Sequence, residues 1–339
     1  MNIDEKYNLI VRNLQEVIGE DELKKVLKEK KEPVVYWGTM PTGSISIAYF
    51  FPMLKIADFL KAGLKVKILI ADLHAALDSV PWVDLDKRYD YYERAIVTIL
   101  KTIGVDIKKL EIVKGSEFQL KPEFMYDVLQ LSSLTTIKGA TKAASEGIKS
   151  AVGDNAKLSG LIYPLMQTMD EYYLGADMQF AGVDQRKIMV YAREFLPKIG
   201  YDPKIELMNP MIRGLVGKQM SSSVEATKID LLNDEKTVKT KINNAEMVAG
   251  DVDNGVMALL KYFIFVLKQD KKEKFVIKRD KKFGGDLEYD NYVSVEKDFI
   301  DKKIHPLDLK NSVADEINVL LENFRGDKKL HELHRVAYG

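Results

Sequence analysis

Apolar residues in the first two thirds of the chain follow two alternating patterns. Short, nearly continuous runs of Val, Ile and Leu predict buried strands, at 33–38, 65–72, 109–115, 176–182 and 204–211. Longer stretches with apolar residues at helical spacing predict helices, at 5–29, 44–62, 89–104, 122–174 and 184–200. Strands separated by helices predict an α/β fold with a parallel sheet, and such sheets bind ligands at the carboxyl ends of their strands.

The pattern changes near residue 224. Strand-like runs become rare after this point, charged runs are frequent, and a last helix is expected at about 310–325. We therefore predict two domains, a sheet-containing domain over 1–223 and a smaller, mostly α-helical domain over 224–339. The basic run 268–286 in the second domain allows two interpretations, a solvated surface or a face that binds RNA.

The composition excludes several classes of protein. Apolar residues make up 46% of the 339 residues, and 51 Lys and Arg balance 51 Asp and Glu, which argues against a generally polycationic nucleic-acid binder. The absence of Cys excludes disulfides and thiolate chemistry, and a total of four His argues against a His-rich metal site. No apolar run approaches 18 residues, and "MNIDEKYNLI" at the start lacks the pattern of a signal or transit peptide. We therefore expect a cytoplasmic protein without a membrane span.

The stretch "YWGTMPTGSISIAYF" (36–50) is the first candidate for chemistry. A strand followed by a glycine turn and a helix start can present backbone N–H groups to an anion. The turn matches neither G-x-G-x-x-G nor G-x-x-x-x-G-K-[ST], so a dehydrogenase or P-loop interpretation fails, and it carries no Lys, Arg or His. Asp72 and His74 of "DLHA" follow the second strand and are further candidates for lining a pocket, with a structural role as the simpler interpretation of His74.

Four stretches together point to a known family. They are "YWGTMPTGSISIAYF", "IYPLMQTMDEYYLGADMQFAGVDQRK", "GKQMSSS" and "HPLDLK". In these stretches the chain resembles the archaeal and eukaryotic type of tyrosyl-tRNA synthetase, a class I aminoacyl-tRNA synthetase. The resemblance implies a Rossmann-type catalytic domain with a helical dimerisation insertion around 120–165, an α-helical anticodon-binding domain, and a homodimer. The implied substrates are L-tyrosine, ATP with Mg²⁺ and tRNA(Tyr), with no permanent cofactor and no metal site.

The resemblance also implies roles for individual residues. Tyr36 and Asp170 would contact the phenol hydroxyl of tyrosine, since a carboxylate accepts its hydrogen while Tyr36 donates to its oxygen. Tyr163, Gln167 and Gln185 would hold the α-amino group. The implied ATP contacts are Gly38, Thr39, Gly43, Gly182, Asp184 and Met220. The implied tRNA contacts are Arg186 at the acceptor end and Phe283, His305 and Asp308 at the anticodon.

Both signature motifs depart from the usual pattern of the family. The first, HIGH or HVAY in relatives, is "SIAY" (46–49), so Ser46 stands where a His is expected, and Ser44 stands where a Lys is often found. The second, KMSKS or KMSSS, is "QMSSS", so Gln219 replaces the Lys, and Lys218 lies one position earlier. The residues expected to serve the chemical step are those of the two motifs, Ser46, Tyr49, Gln219, Ser221, Ser222 and Ser223. Losing one donor to a transition state typically costs about 10²–10³ in rate.

Three hypotheses follow from these residues. The first is an active tyrosine–tRNA ligase in which backbone N–H groups after Gly43, Mg²⁺ and the serines of the second motif take over the phosphate contacts, with Lys218 as a further candidate. The second is a variant that binds tyrosine and tRNA but activates the amino acid poorly, which pyrophosphate exchange would distinguish. The third is an unrelated α/β nucleotide-binding protein, which failure to bind tyrosine would favour.

Overall fold

The computed structural model describes residues 1–146, 148, 150, 153, 155–217 and 228–339. These residues form two compact units, each discontinuous in sequence. The first unit comprises Met1–Thr42, Lys55–Glu93 and Val105–Met211, and the second comprises Gly43–Leu54, Arg94–Gly104 and Ile212–Gly339. The predicted division between residues 223 and 224 lies outside the described residues and stays a prediction.

A six-stranded sheet organises the first unit. Its strands are β1 (Glu16–Ile18), β2 (Val34–Thr39), β3 (Lys65–Ile70), β4 (Leu110–Lys114), β5 (Met178–Gly182) and β6 (Ile205–Asn209), in the order β1-β6-β5-β2-β3-β4. Strands β2 to β6 are parallel, and β1 is an antiparallel edge strand. This is the order of a doubly wound sheet with its switch point between β2 and β5. The predicted fold class and the five predicted strands are confirmed.

Helices connect these strands. They are α1 (Ile3–Val11), α2 (Glu20–Glu29), α3 (Phe50–Lys61), α4 (Asp72–Leu77), α5 (Leu85–Ile103), α6 (Ser116–Gln119), α7 (Pro122–Leu134), α8 (Ile137–Ala144), α9 (Leu158–Tyr173) and α10 (Arg186–Phe195). The continuous helix predicted over 5–29 is wrong in its middle, where β1 separates α1 from α2. Asn13 and Gly19 break the helix with positive φ angles of 61° and 91°, and Val17 pairs with Leu207 in the sheet. Pairing with β6 therefore outweighs the helical spacing of this segment.

Helix α3 begins later than the sequence predicts, behind a 3₁₀ turn at Ile47–Tyr49. Ser46 before this turn has an extended backbone and pairs with Asp230 in an isolated antiparallel bridge. The N–H of the first turn residue donates to the carbonyl of Ile229 at 2.8 Å. Ser46 thus has the extended backbone of an N-cap and cannot lie inside a helical turn, so the helix expected directly after Gly43 starts only with the 3₁₀ turn at residue 47.

Helices dominate the second unit, as the sequence predicts. They are α11 (Glu235–Asn243), α12 (Gly255–Leu259), α13 (Phe265–Lys271), α14 (Tyr292–Ile300), α15 (Pro306–Arg325) and α16 (Lys328–Tyr338), with one antiparallel strand pair of β7 (Phe275–Ile277) and β8 (Leu287–Tyr289). The last predicted helix, 310–325, corresponds to α15, whereas α16 was not predicted. The Phe50 ring lies 4.7 Å from that of Phe263 and 5.9 Å from that of Phe324, so the start of α3 is part of the core of this unit. None of the described helices is both long and apolar enough to span a bilayer.

Candidate active site

Helix α9 brings three of the predicted tyrosine-site residues to one face. Tyr163, Gln167 and Asp170 are spaced four and three residues apart, which places them on the same side of a helix. Tyr163 and Asp170 are buried, whereas Gln167 is partly exposed. This face of α9 therefore carries an aromatic hydroxyl, an amide and a carboxylate in a row.

Strand β2 supplies another predicted residue of this site. Tyr36 is buried and packs in an apolar cluster with Leu69 and Leu174. Its hydroxyl has no hydrogen-bond partner among the described residues. A buried polar group without a partner typically costs about 1–3 kcal/mol. A polar ligand group that bonds to this hydroxyl would recover that cost.

His74 of α4, Gln119 of α6 and Asp170 of α9 form a buried polar cluster. Gln119 Nε2 donates to Asp170 Oδ1 at 2.7 Å and lies 3.3 Å from His74 Nδ1, while His74 Nε2 lies 3.7 Å from Asp170 Oδ2. The His74 ring meets the Tyr163 ring edge to face, with centroids 4.5 Å apart. A hydrogen bond from Gln119 thus holds the Asp170 carboxyl group, and the His74 ring lies beside it without a hydrogen bond to it.

Sequence reasoning missed Gln119. It lies on the four-residue helix α6, which carries no motif. The one available signal is Gly115, where a Cβ atom would lie 2.6 Å from Gln119 Oε1 and 2.8 Å from Asp72 Oδ1. Asp72 accepts a hydrogen bond from the N–H of Ser116 at 2.9 Å. Asp72, a candidate pocket residue, therefore acts on the site by fixing the start of α6.

Burial controls the protonation of this cluster. It lowers the pKa of His74 to about 3, so the ring is neutral near neutral pH. It raises the pKa of Asp170 well above the ordinary value, although the hydrogen bond from Gln119 acts in the opposite direction. It also raises the pKa of Tyr36, with Glu171 and Asp170 adding to the effect, so Tyr36 keeps its proton. The site therefore offers a phenolic donor at Tyr36 and, at Asp170, a carboxyl group that keeps acceptor capacity in either protonation state.

The predicted ATP residues of the first unit lie at the carboxyl ends of β2 and β5. Gly38 and Thr39 end β2 and Gly182 ends β5, so the three flank the switch point of the sheet. A Cβ atom on Gly182 would lie 2.3 Å from Asp184 Oδ1, so glycine gives room to that carboxylate. Gln185 Nε2 donates to Asp184 Oδ2 at 3.0 Å. The part of the chain that the structure describes contains no group of three or more His, Asp or Glu arranged to hold a metal ion.

Arg186, the predicted contact for the tRNA acceptor end, is engaged by Glu16. Its Nε and Nη2 atoms donate to the two carboxylate oxygens at 2.7 and 2.9 Å, and this pair lowers the pKa of Glu16. Surface pairs of this kind contribute at most about 1 kcal/mol. A contact of Arg186 with RNA therefore requires it to leave Glu16, at a modest cost.

The second unit contains the first signature segment. Ser46 is buried, and its Oγ accepts from the N–H of Ala48 at 3.4 Å as the cap of the 3₁₀ turn that ends at Tyr49. The second signature lies outside the described residues; this applies to Lys218, Gln219, Met220, Ser221, Ser222 and Ser223. The described chain resumes at Lys228, whose Nζ donates to the carbonyl of Ser44 at 3.3 Å. The chain shortly after the second signature thus contacts the turn that precedes the first.

The predicted anticodon residues also lie in the second unit. Phe283 exposes 63% of its surface at the end of a 3₁₀ turn. His305 is the N-cap of α15, and Asp308 lies in the first turn of that helix. Arg279, which precedes the Phe283 turn, donates to the carbonyl of Lys303 at 3.4 Å. This contact brings the two predicted anticodon segments together.

Two further buried acids lie beside the Tyr36 site. Tyr36, Gln179 and Glu206 are register partners on the adjacent strands β2, β5 and β6, so their side chains share one face of the sheet. Glu206, and Glu171 of α9, are completely buried, and none of their carboxylate oxygens has a hydrogen-bond partner among the described residues. Burial therefore raises the pKa of both carboxyl groups well above the ordinary value.

We predict that Glu206→Gln raises the stability at pH 8 and flattens its dependence on pH. A carboxyl group with a raised folded-state pKa keeps a proton that the unfolded chain releases above about pH 4.3. Its contribution is present below that pH and is lost as the pH rises through the folded-state pKa. Thermal unfolding should show a melting temperature that falls less between pH 5 and pH 8 in the variant, with a gain of a few degrees at pH 8. The exposed Glu29→Gln in α2 is the control, and a variant with the same pH slope as the unmodified protein would contradict the prediction.

Comparison with known proteins places this fold and site in a family. The sequence matches the class I tRNA synthetases for tryptophan and tyrosine ("tRNA synthetases class I (W and Y)") over residues 28–322. The chain therefore belongs to this family of class I aminoacyl-tRNA synthetases, as the sequence resemblance implies.

Several of the relatives that it matches are named tyrosine–tRNA ligases or tyrosyl-tRNA synthetases. The chain is 50% identical to the cytoplasmic tyrosine–tRNA ligase of Danio rerio over 98% of its own length and 62% of that protein. It is 44% identical to the cytoplasmic tyrosine–tRNA ligase of Saccharomyces cerevisiae, over 99% of its own length and 88% of the relative. The structure of the Archaeoglobus fulgidus tyrosyl-tRNA synthetase in complex with L-tyrosine superposes with a TM-score of 0.89 at 36% identity, over 97% of this chain and 100% of that one. The chain thus spans less than two thirds of the vertebrate relatives that it matches.

Proposed function

We propose that this protein is a tyrosine–tRNA ligase, which activates L-tyrosine with ATP and transfers it to tRNA(Tyr). The observation that carries this proposal is the buried Tyr36 hydroxyl, which has no hydrogen-bond partner among the described residues and lies close enough to the buried Asp170 carboxyl group for that group to raise its pKa. One group donates and the other accepts, and a phenol hydroxyl satisfies both. The tyrosine complex of the Archaeoglobus relative supports the same substrate. Because the Danio and Saccharomyces relatives are named cytoplasmic, we place the reaction in the cytoplasm.

The proposed reaction has two steps. In the first, the tyrosine carboxylate attacks the α-phosphate of ATP, which carries Mg²⁺ as part of the substrate, and pyrophosphate leaves. In the second, a ribose hydroxyl at the 3′ end of the tRNA attacks the activated carbonyl, and AMP leaves. The protein would act mainly by positioning and electrostatics.

The predicted contacts for tyrosine and ATP would act in these steps. Asp184 would accept from the ribose hydroxyls of ATP, near the strand ends where the backbone allows a close approach. The α-amino group of tyrosine would be held by Tyr163, Gln167 and Gln185. The adenylate would lie beside Gly38, Thr39 and Gly182 at the switch point of the sheet. The phosphates would meet Gly43, Tyr49, Met220 and the serines of the second signature.

A specific observation favours a second candidate, a synthetase-like protein that binds tyrosine and tRNA but activates poorly. Ser46 Oγ caps the 3₁₀ turn, and the N–H of Ile47 donates to Ile229, so both groups already have partners within the protein. A Ser at position 46 also offers no positive charge to the leaving pyrophosphate.

Tyrosine-dependent ATP–pyrophosphate exchange with the unmodified protein tests the proposal. We expect exchange with tyrosine and none with phenylalanine, followed by charging of a tRNA(Tyr) transcript. Tyrosine binding in calorimetry without exchange would support the second candidate. Failure to bind tyrosine would contradict both.

For RNA recognition we predict that Phe283→Ala and Asp308→Ala weaken the selectivity for the tyrosine anticodon more than the total affinity for tRNA. An exposed aromatic ring stacks on an unpaired base, and a carboxylate accepts from the edge of a guanine. Neutralising exposed lysines nearby should instead weaken the total affinity for tRNA more than the anticodon selectivity, because phosphate contacts carry no sequence information. It should also reduce the salt dependence of binding. The lysines to replace are Lys271, Lys272, Lys281 and Lys282.

Filter binding with tRNA transcripts of altered anticodons measures both effects. Glu322→Ala, at an exposed position of the same helix α15, is the control and should change neither quantity. An unchanged anticodon preference in Asp308→Ala would show that the anticodon role is wrong.

We also infer a homodimer through the predicted insertion at 120–165. Helix α7 exposes Tyr126 and Leu129 by 70% and 64%, three residues apart on one face, and Ile137 at the start of α8 is 76% exposed. An apolar surface of this kind marks an interaction site. Its position in the insertion that the family resemblance assigns to dimerisation selects a second copy of this chain as the partner.

We predict that Tyr126→Asp together with Leu129→Asp converts the dimer to a monomer in sedimentation velocity. Two buried anchors at the centre of an interface are typically worth about 2 kcal/mol or more each, so the dissociation constant should rise by at least about 10²-fold. Val293→Asp, equally exposed on α14 of the second unit, is the matched control. A double variant that sediments like the unmodified protein would contradict the assignment of this surface.

A further inference from the structure

Helix α16 reaches the turn at Gly43 and Ser44 that precedes the first signature, within the second unit. The Tyr338 hydroxyl donates to the carbonyl of Gly43 at 3.0 Å, and His334 Nε2 lies 3.0 Å from Ser44 Oγ. The two α16 residues are four positions apart and share a helix face, with ring centroids 5.5 Å apart. The residues that they contact belong to the segment that lacks the positive groups of the family pattern.

The directions of these hydrogen bonds follow from their partners. Ser44 Oγ also bonds to the Asp230 carboxylate, and an ionised carboxylate only accepts. Ser44 therefore gives its single hydroxyl hydrogen to Asp230 and accepts a hydrogen from His334, so His334 Nε2 is protonated. Asp230 is buried and also accepts from the N–H of Leu232 at 3.0 Å. A continuous chain of hydrogen bonds thus runs from His334 through Ser44 to Asp230.

The start of α16 is fixed as well. Asp327 caps the helix by accepting from the N–H of Leu330 at 3.1 Å, and it receives two hydrogen bonds from Arg94 at 2.8 and 3.1 Å. Leu330 and Ala337 are buried along the same helix. His331 has a different partner, because its Nε2 lies 3.1 Å from the carbonyl of Arg325. Helix α16 is therefore anchored at its start and along its length, and it brings His334 and Tyr338 to the segment in a defined position.

We propose that α16 positions the phosphate-facing loop of the enzyme, with His334 and Tyr338 as the positioning residues that fix Gly43 and Ser44. The proposal rests on the ligase activity proposed above. Because Ser44 and Ser46 bring no positive charge, phosphate contacts in this segment depend on where its backbone lies. A displacement of about 1 Å in a reacting geometry can cost about 10² in rate. Helix α16 thereby affects the reaction rate by fixing the backbone of Gly43 and Ser44.

The kinetic test compares His334→Ala/Tyr338→Phe with the unmodified protein in pyrophosphate exchange. We expect kcat to fall at least about tenfold, with the KM for tyrosine changed by less than about twofold, because none of the residues displaced is a predicted tyrosine contact. His334→Gln retains a side-chain N–H donor and should keep about half of the activity or more. His331→Ala, on the same helix, is the control and should stay within about twofold of the unmodified rate. An unchanged kcat in the double variant would overturn the proposal.

Hydrogen–deuterium exchange provides a test that does not need activity. The double variant should speed amide exchange in peptides covering 43–50 and leave 287–300 unchanged; unchanged exchange in 43–50 would overturn the proposal. If the unmodified protein lacks pyrophosphate exchange, the proposed function fails. The affinity for ATP, measured by calorimetry in the unmodified protein and in the double variant, then tests whether α16 positions the loop. Equal ATP affinity in the double variant would overturn the proposal in that case. Tyr338→Phe alone, which removes a single oxygen, replaces the double variant if the latter does not fold.

Discussion

Asp170→Ala is expected to abolish the preference of this protein for tyrosine over phenylalanine. Calorimetry of the unmodified protein should show tyrosine binding and little phenylalanine binding, whereas the variant should bind both amino acids weakly and about equally. A site built to hydrogen-bond a hydroxyl rejects the analogue that lacks it, because the buried groups of the site are left unpaired. Tyrosyl-tRNA synthetases are themselves the known example, with a factor of about 10⁵ against phenylalanine, a figure that belongs to them and does not come from this structure.

The structure explains why the loss should be large. Asp170 is 1% exposed, so water does not replace the missing acceptor, and removal of the carboxylate also takes the partner of Gln119 away. Tyr36 would still donate to the phenol oxygen, which is why some affinity for tyrosine should survive. The preference depends on both halves of the pair, and Tyr36→Phe should reduce it by a smaller factor.

A matched control exists in the same unit. Asp127 of α7 is also buried, and it accepts hydrogen bonds from the hydroxyls of Tyr173 and Tyr201 at 2.8 and 2.7 Å. Asp127→Ala should lower the melting temperature but leave the amino-acid preference intact. Equal affinity of the unmodified protein for tyrosine and phenylalanine would show that the pocket assignment is wrong.

The sheet was predictable from the sequence because parallel strands covered on both sides read as continuous apolar runs. The ends of the helices were less predictable, because distant contacts decide them. The bridge between Ser46 and Asp230 delays the start of α3, and the pairing of Val17 with Leu207 turns part of a helical pattern into β1. Neither partner is visible from the local sequence.

The same distinction applies to the site. Tyr163, Gln167 and Asp170 could be predicted as one face because a single helix carries all three. Gln119 and His334 could not, because each reaches its partner through the fold alone and neither lies in a motif. The sequence also identified the missing positive groups of the two signatures. It did not show that α16 contacts Gly43 and Ser44, just before the first signature.

Ser46→His together with Gln219→Lys is expected to raise the rate of tyrosine-dependent pyrophosphate exchange by at least about 10²-fold. The imidazole and the ammonium group would donate to oxygens on which charge builds as pyrophosphate leaves. That charge develops only in the transition state, so kcat should rise with a smaller change in the KM for tyrosine. The two replacements should not be additive, because both act on the same phosphates.

Single variants separate the contributions to this result. Ser46 is buried and caps the 3₁₀ turn, so a His at this position also loses a cap worth about 1 kcal/mol. Ser46→Ala measures that loss without the imidazole, and its melting temperature gives the correction. Gln219→Lys alone should give a smaller gain if Lys218 already supplies a charge, and a drop in exchange in Lys218→Ala would show that it does. A double variant no faster than the unmodified protein would mean that these two positions do not limit the reaction. The phosphate site would then depend on other donors, and the backbone N–H groups that α16 fixes would be the first to examine.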